Sequence, residues 1–158
     1  MPQQDNTILM RGVRIIFRNF RGEEGKYNKE GDRNFAVVID EEMAEILTRD
    51  GWPVKKLDPR EGYEEDGVTW YLPVAIRFDV FPPRVMLITS TTRTQIHEKN
   101  VSQLDWITMT NVDLIVRPHF WDIGGKSGIK AYVKTMYITM EEDPLEAEYG
   151  VEEGPIGE

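Results

Sequence analysis

Two stretches from opposite ends of the chain place aromatic rings among basic side chains. In residues 129–134, Lys130, Tyr132 and Lys134 alternate with apolar residues. This period of two is typical of a half-buried strand, so the three side chains share its outer face. Proteins bind single-stranded nucleic acid with cations that contact its phosphates and with aromatic rings that stack on its bases. The alternative is an exposed strand whose lysines only keep it soluble.

The second stretch, residues 13–20, has a similar outer face. Its even positions include Arg14, Arg18 and Phe20, and the odd positions Val13, Ile15 and Phe17 are apolar and are predicted to face the core. If the two strands lie near each other, their outer faces form a basic and aromatic groove.

A glycine-punctuated loop, residues 21–33, follows the second stretch and carries Lys26, Tyr27 and Arg33. It lacks the Gly-Lys-Ser/Thr ending of a phosphate-binding P-loop. Two interpretations stay open, a long hairpin tip that closes over a ligand and a plain solvated hairpin.

Alternating apolar residues predict the strands that position these side chains, and one helix stands out among them. The predicted strands span residues 8–20, 34–39, 68–80, 84–89, 110–118 and 129–134. Asp40 is a good N-cap, Glu41 and Glu42 suit a first helical turn, and Gly51 ends the helix.

The two strands near the C-terminal end are predicted to form a hairpin around a glycine-rich loop. Val112, Leu114 and Val116 should face the core and Arg117 the outside, with Phe120 inward and Trp121 outward. After Lys134 the apolar residues move to the opposite parity. A strand that exchanges faces in this way needs a bulge or a bend, as expected where it curls around a small barrel.

Composition indicates an ordinary globular domain. The 158 residues are 40% hydrophobic and 30% charged, with no cysteine and two histidines. These numbers exclude disulfides and cysteine-ligated zinc and leave no convincing metal site. No signal-peptide pattern or membrane-length apolar run is present, so we expect a cytoplasmic protein.

The net charge of −9 is unevenly distributed. Residues 141–158 contain eight of the 28 acids and none of the 19 bases, which leaves residues 1–140 with 20 acids and a net charge of −1. We therefore divide the chain into a domain, residues 1–140, and an acidic C-terminal tail, residues 141–158. Such a tail is either an interaction segment or a disordered end that aids solubility.

Sequence motifs of catalysis are missing. There is no Gly-x-Ser-x-Gly, no His-Glu-x-x-His, no Rossmann fingerprint and no defensible paired-acid spacing. We predict a binding protein with no catalytic residue, metal or cofactor.

The chain resembles bacteriophage single-stranded DNA-binding proteins of the OB-fold type over residues 8–149. The resemblance rests on the first basic strand, the hairpin from Gly25 to Phe35, residues 112–118, residues 128–134 and the acidic tail. It implies a five-stranded barrel with extra hairpins that coats displaced strands during phage replication. It also implies a tail that competes with DNA and recruits replication proteins, although this tail lacks the terminal aromatic residue found in many such tails.

Together these observations predict a mainly β, OB-fold-like five-stranded barrel with extra hairpins, one clear helix and an acidic tail. It would bind single-stranded DNA without strong sequence preference during phage DNA replication and recombination. The predicted contact residues are Arg14, Arg18, Phe20, Lys26, Tyr27, Arg33, Arg117, Trp121, Lys130, Tyr132 and Lys134. The alternatives are a phage structural or assembly β-barrel and an annealing factor or nuclease in recombination; the sequence does not determine the oligomeric state.

Overall fold

The computed structural model describes residues 6–79 and 81–149. The strands are β1 (Ile8–Met10), β2 (Ile15–Asn19), β3 (Arg33–Ile39), β4 (Lys55–Leu57), β5 (Thr69–Ile76), β6 (Arg84–Ile88), β7 (Arg93–Ile96), β8 (Met109–Ile123) and β9 (Lys126–Met140). The helices are α1 (Glu41–Arg49) and α2 (Pro144–Tyr149), and two 3-10 helices span Glu64–Asp66 and Glu98–Asp105. None of the helices in these residues is long and apolar enough to cross a membrane.

The strands form one sheet in the order β1-β8-β9-β5-β3-β2, with β4 beside β5, β6 beside β9 and β7 beside β6. Only β5–β9 and β6–β9 are parallel among the described pairs, and β5–β9 is a single pair, Ala75 with Tyr132. Within this part of the chain, the path from β1 to β2 does not close on itself. The predicted mainly β, OB-like fold is confirmed, with nine strands and a second short helix in the described residues.

Helix α1 forms where the sequence predicts it. The Asp40 carboxylate accepts the Met43 amide at 2.7 Å and so satisfies one of the free donors of the first turn. Ala44 and Leu47 are buried, and Leu47 belongs to the hydrophobic core. Gly51 follows with φ +98°, a left-handed conformation that a side chain would strain.

The predicted inner faces of the long hairpin are in the core. Val112, Leu114 and Val116 of β8 and Ile129, Ala131 and Val133 of β9 are buried. Thr135 pairs with Ile115 and Val133 with Val116, so Lys134 is the extra residue of a bulge. The predicted exchange of faces is confirmed, because Met136 and Ile138 beyond this bulge are fully buried.

The predicted strand over residues 8–20 is two strands in different places. β1 pairs with β8, whereas β2 pairs with β3. Gly12 lies between them with φ +59°, and its amide donates to Asp113 Oδ1 at 2.8 Å. The chain therefore turns at Gly12 from β1, at one end of the strand order, to β2, at the other end. Glycine tolerates this positive φ.

Two predicted orientations in β2 are wrong. Phe17, predicted in the core, is 56% exposed, and Phe20, predicted outside, is 0% exposed and stacks on Phe35 at 5.2 Å between ring centroids. Phe17 has φ +55°, and the register with β3 shifts between Ile16 and Asn19. This irregularity reverses the parity of the strand, so the two rings exchange sides.

The acidic segment is attached to the sheet at its start. The Glu141 amide donates to Thr108 O at 2.8 Å. The Glu142 carboxylate accepts the Ser90 amide and hydroxyl, both at 3.1 Å. Helix α2 follows, and the part of the predicted tail over residues 150–158 lies outside the described residues.

Candidate nucleic-acid interface

A groove of about 920 Å³ crosses the faces of β3 and β5. One wall is the loop that carries Tyr27 and leads into β3, and another is the hairpin of β8 and β9. Among the predicted contact residues, the groove is lined by Tyr27, Arg33, Trp121, Lys130 and Tyr132. The groove therefore brings together the loop before β3 and the β8–β9 hairpin, whereas Arg14, Arg18 and Phe20, the predicted outer face of residues 13–20, are not part of its lining.

Exposed rings lie along this groove. Phe17 packs edge-to-face on Tyr71, with ring centroids 5.3 Å apart and planes at 78°, and both rings line the groove. Tyr27 is 90% exposed, and Lys26 Nζ lies 5.4 Å from the centre of its ring. Unpaired bases can stack on such faces without regard to sequence.

Trp121 is held flat against the neighbouring strand. It pairs with Gly128, and a Cβ atom at Gly128 would lie only 2.8 Å from Trp121 Cζ2. The indole thus depends on a glycine opposite it, and the half-buried ring is fixed at the groove wall. Trp121, predicted to face outward, lines the groove. Phe120, predicted to face inward, is 62% exposed and lines a different cavity beside α1. The inward prediction fails because Phe120 lies near the end of the hairpin, which extends past the main core.

Tyr132, predicted as an exposed stacking ring, is only 8% exposed, so that prediction is wrong. The Arg117 guanidinium carbon lies 5.0 Å and Lys130 Nζ 5.6 Å from the ring centre, and His119 packs edge-on at 6.0 Å. These side chains come from two strands and cover a ring that nevertheless lies on the outer face. We infer that Tyr132 holds cations at the groove floor through cation–π contacts.

Arg77 is held at the end of β5 by a carboxylate. Its Nε and Nη2 atoms donate to Asp79 at 3.2 and 2.5 Å. Hydrogen bonds to Asp79, and then to the Tyr132 hydroxyl, raise the pKa of Arg77 above its usual value. The charged side chains of the groove are mixed: Lys29, Arg33, Arg77 and Lys130 are basic, and Asp32, Asp79 and Glu98 are acidic.

Several predicted contact residues have structural partners. Arg18 Nη1 donates to the carbonyl oxygens of Leu104 and Ile107 at 3.0 and 2.7 Å, which attaches β2 to the second 3-10 helix. Arg33 Nη1 donates to Phe20 O at 2.6 Å, and its Nη2 lies 3.8 Å from Glu98. Arg18 therefore stabilises the fold through these hydrogen bonds, whereas Arg33 also lines the groove.

The remaining predicted residues lie outside the groove lining. Arg14 is exposed just before β2, Lys26 is next to the groove beside Tyr27, and Lys134 is exposed at the bulge. Arg117 lies between two rings, with its guanidinium carbon 5.2 Å from the centre of Phe81 and 5.0 Å from that of Tyr132. Phe20 is in the core and cannot stack on a base.

The groove residues that the sequence prediction missed include Phe17, Tyr71 and Arg77. Tyr71 and Arg77 stand on the polar parity of the strand in residues 68–80, which is a signal that could have identified them. Phe17 has no such signal, because its apolar parity indicates a core position until the bulge is known.

Hydrogen bonds within the loop between β2 and β3 hold it in shape. The Asn28 side chain donates to the carbonyl oxygens of Glu23 and Asp32 at 2.9 and 3.0 Å. The Gly31 amide donates to Gly22 O at 2.9 Å, and a Cβ atom at Gly22 would lie 3.1 Å from the Gly31 carbonyl carbon. The glycines thus permit a tight hairpin with Tyr27 near its tip.

A metal-dependent active site has no candidate in the part of the chain that is described. Within residues 6–79 and 81–149, no group of three or more histidine, aspartate or glutamate side chains could hold a metal ion.

Comparison with solved structures identifies similar folds. The structure of the single-stranded DNA-binding protein from bacteriophage Enc34 in complex with ssDNA has a TM-score of 0.55 at 11% identity, covering 91% of this chain and 96% of that chain. A C-terminal truncation of the Enc34 protein has a TM-score of 0.53 at 11% identity, covering 91% and 95%. At this identity the likeness concerns the fold.

Sequence comparison identifies the family. Curated protein sequences give no match. Residues 2–153, nearly the whole chain, match the family described as "Putative phage ssDNA-binding domain". The family predicted from the residues is thereby confirmed, and the chain belongs to the phage single-stranded DNA-binding domain family.

Proposed function

We propose that the protein binds single-stranded DNA in the groove between the Tyr27 hairpin and the β8–β9 hairpin. The observation that carries the proposal is the alignment of Phe17, Tyr27 and Trp121 along one groove that also holds Lys130. Rings of this kind stack on bases only when those bases are unpaired, and cations beside them neutralise phosphates. The family match and the likeness to an Enc34 protein solved with ssDNA support this assignment.

Binding would have little sequence preference. Stacking is tolerant of sequence because every base has a flat face. The basic side chains of the groove suit phosphates, which carry no sequence information. We propose that the protein coats and protects DNA strands exposed during phage replication and recombination, in the cytoplasm of the host cell.

The acidic segment, residues 141–158, would compete with DNA and recruit replication proteins. A tethered polyanion has a high effective concentration beside the basic side chains of the groove, and low salt strengthens the attraction. The contacts of Glu141 and Glu142 with the sheet support deleting only residues 143–158, which removes six of the eight acids. We expect this deletion to tighten ssDNA binding, most strongly at low salt.

The matched control for this deletion is a chain of full length in which the same six acids are replaced by Gln or Asn. It should bind as tightly as the shortened chain if charge is the cause. Equal affinity of the shortened and full-length proteins at low salt would refute competition and leave recruitment or solubility as the role of the tail.

Fluorescence anisotropy with labelled oligonucleotides tests the function. We expect single strands of mixed sequence to bind with similar affinities and duplexes of the same length to bind more weakly. Lack of binding to any oligonucleotide would favour a structural or assembly protein. A parallel incubation with Mg²⁺ identifies a nuclease by cleavage, and a complementary-strand assay identifies an annealing factor.

A further inference from the structure

A second basic and aromatic cluster lies on the outer face of β6, β7 and β9. Met86 of β6 pairs with Tyr137 of β9, and Ile88 pairs with Arg93 of β7. Arg84 is two residues before Met86, so Arg84, Tyr137 and Arg93 belong to the same face. Val85 and its partner Met136, on the opposite face, are fully buried. The cluster is therefore on the solvent side of the sheet.

The two arginines of this cluster share one face of the sheet with the Tyr137 ring. Chiefly the hydrogen bond from Arg84 to the hydroxyl lowers the pKa of Tyr137 below its usual value, and the charge of Arg93 acts in the same direction. Both arginines are exposed, and Tyr137 is half-buried. Among the described residues, neither arginine has a carboxylate within 4.0 Å. Within the described residues, the two cations thus have no carboxylate partner, and they lie near an accessible ring. This arrangement is a suitable site for a phosphate and a base.

Nearby acidic side chains already have other hydrogen bonds. Asp113, opposite Tyr137 on β8, accepts the Gly12 amide at 2.8 Å. Glu142 accepts the Ser90 amide and hydroxyl. These carboxylates reduce the positive potential of the face without pairing with its arginines.

The cluster continues the groove along β9. The extra residue of the bulge, Lys134, places Tyr132 and Tyr137 on the same outer face although their sequence parities differ. Five residues of strand separate them, roughly 16 Å. Tyr132 belongs to the groove, and Arg117 lies between Tyr132 and the exposed ring of Phe81. Phe81 comes three residues before Arg84, so a short segment of chain connects the ring beside Arg117 to the first arginine of the cluster.

We propose that Arg84, Arg93 and Tyr137 form a second subsite that takes the single-stranded DNA leaving the groove past Phe81. This inference rests on the proposed function and adds the path of the strand and a longer occluded length. Short oligonucleotides occupy only the groove. Longer ones also place phosphates on Arg84 and Arg93.

Affinity as a function of oligo-dT length, measured by anisotropy with the full chain, tests the proposal. The variant is Arg84→Gln with Arg93→Gln, and the matched control is Arg49→Gln with Arg60→Gln, which removes two exposed cations elsewhere. A third variant, Arg84→Lys with Arg93→Lys, keeps the charge but changes the geometry around Tyr137. Thermal melting of each variant checks that it is folded.

We expect the double Gln variant to bind the shortest oligonucleotides as the wild type does and to gain less affinity with length. Its salt slope on long oligonucleotides should be smaller by about 1.4, since each single-strand phosphate contact contributes about 0.7. The Lys variant should keep most of that slope.

Equal length dependence in the Gln variant and the wild type would overturn the subsite alone, as would an equal loss for short and long oligonucleotides. Lack of binding by the wild type at every length would overturn the proposed function as well.

Discussion

Phe17 offers a sharp test of the groove, because its ring can be removed with little cost to folding. The ring is 56% exposed, so burial of the rest contributes roughly 1 kcal/mol to stability. Its edge contact with Tyr71 adds about 1 kcal/mol. At φ +55° a phenylalanine is strained by about 1–2 kcal/mol, and Phe17→Gly relieves that strain. These effects offset one another, and the unfolding free energy should change by about 1 kcal/mol or less.

Binding should change much more than folding. Loss of one stacked base costs about 1–3 kcal/mol. At about 1.4 kcal/mol per tenfold, Kd for a single strand should rise roughly 5- to 150-fold in Phe17→Gly. Anisotropy with a labelled oligo-dT gives Kd, and urea unfolding gives the stability.

The control for Phe17 is Phe120→Ala, because Phe120 is 62% exposed but lies outside the groove. Its Kd should equal that of the wild type. An unchanged Kd in Phe17→Gly would refute the assignment of the groove, and so would an equal loss in both variants.

Three further predictions follow from the same geometry. Tyr132→Ala should lower the unfolding free energy by about 3 kcal/mol, since the ring is buried, and a denaturant titration that finds no loss would show that the ring does not stabilise the fold. Gly128→Ala should displace the Trp121 ring, which lies 2.8 Å from the new Cβ, and should shift the tryptophan emission. An unchanged spectrum and an unchanged affinity would show that this ring is not part of the binding site. If about five cations contact phosphates, log K against log salt should have a slope near −3 to −4, whereas affinity that does not depend on salt would exclude an electrostatic groove.

Local patterns were sufficient to predict most strands and helix α1. Alternation along β8 and β9 identifies their inner faces because burial of one face imposes a period of two. The reversal after Lys134 also predicts the bulge, since a strand can exchange faces only through an extra residue or a bend. Helix α1 was predicted from its cap and first turn, which are determined by neighbouring residues.

The errors in the candidate site come from long-range structure. The positive φ of Phe17 reverses the parity of β2, and no local signal distinguishes Phe17 from a core residue. Tyr132 has the predicted outer-face position, but Arg117 and His119 of the neighbouring strand cover it. Arg18 has the composition of a phosphate contact but binds carbonyl oxygens 86 and 89 residues away. Such partners depend on tertiary packing, which periodicity does not describe.

Photocrosslinking of a short oligonucleotide that carries 5-iodouracil tests the position of the bases most directly. Mass spectrometry of the crosslinked peptides identifies the rings that stack on them. The groove predicts crosslinks at Phe17, Tyr27 or Trp121. Crosslinks confined to Trp106 or Phe120, which are exposed rings outside the groove lining, would contradict it.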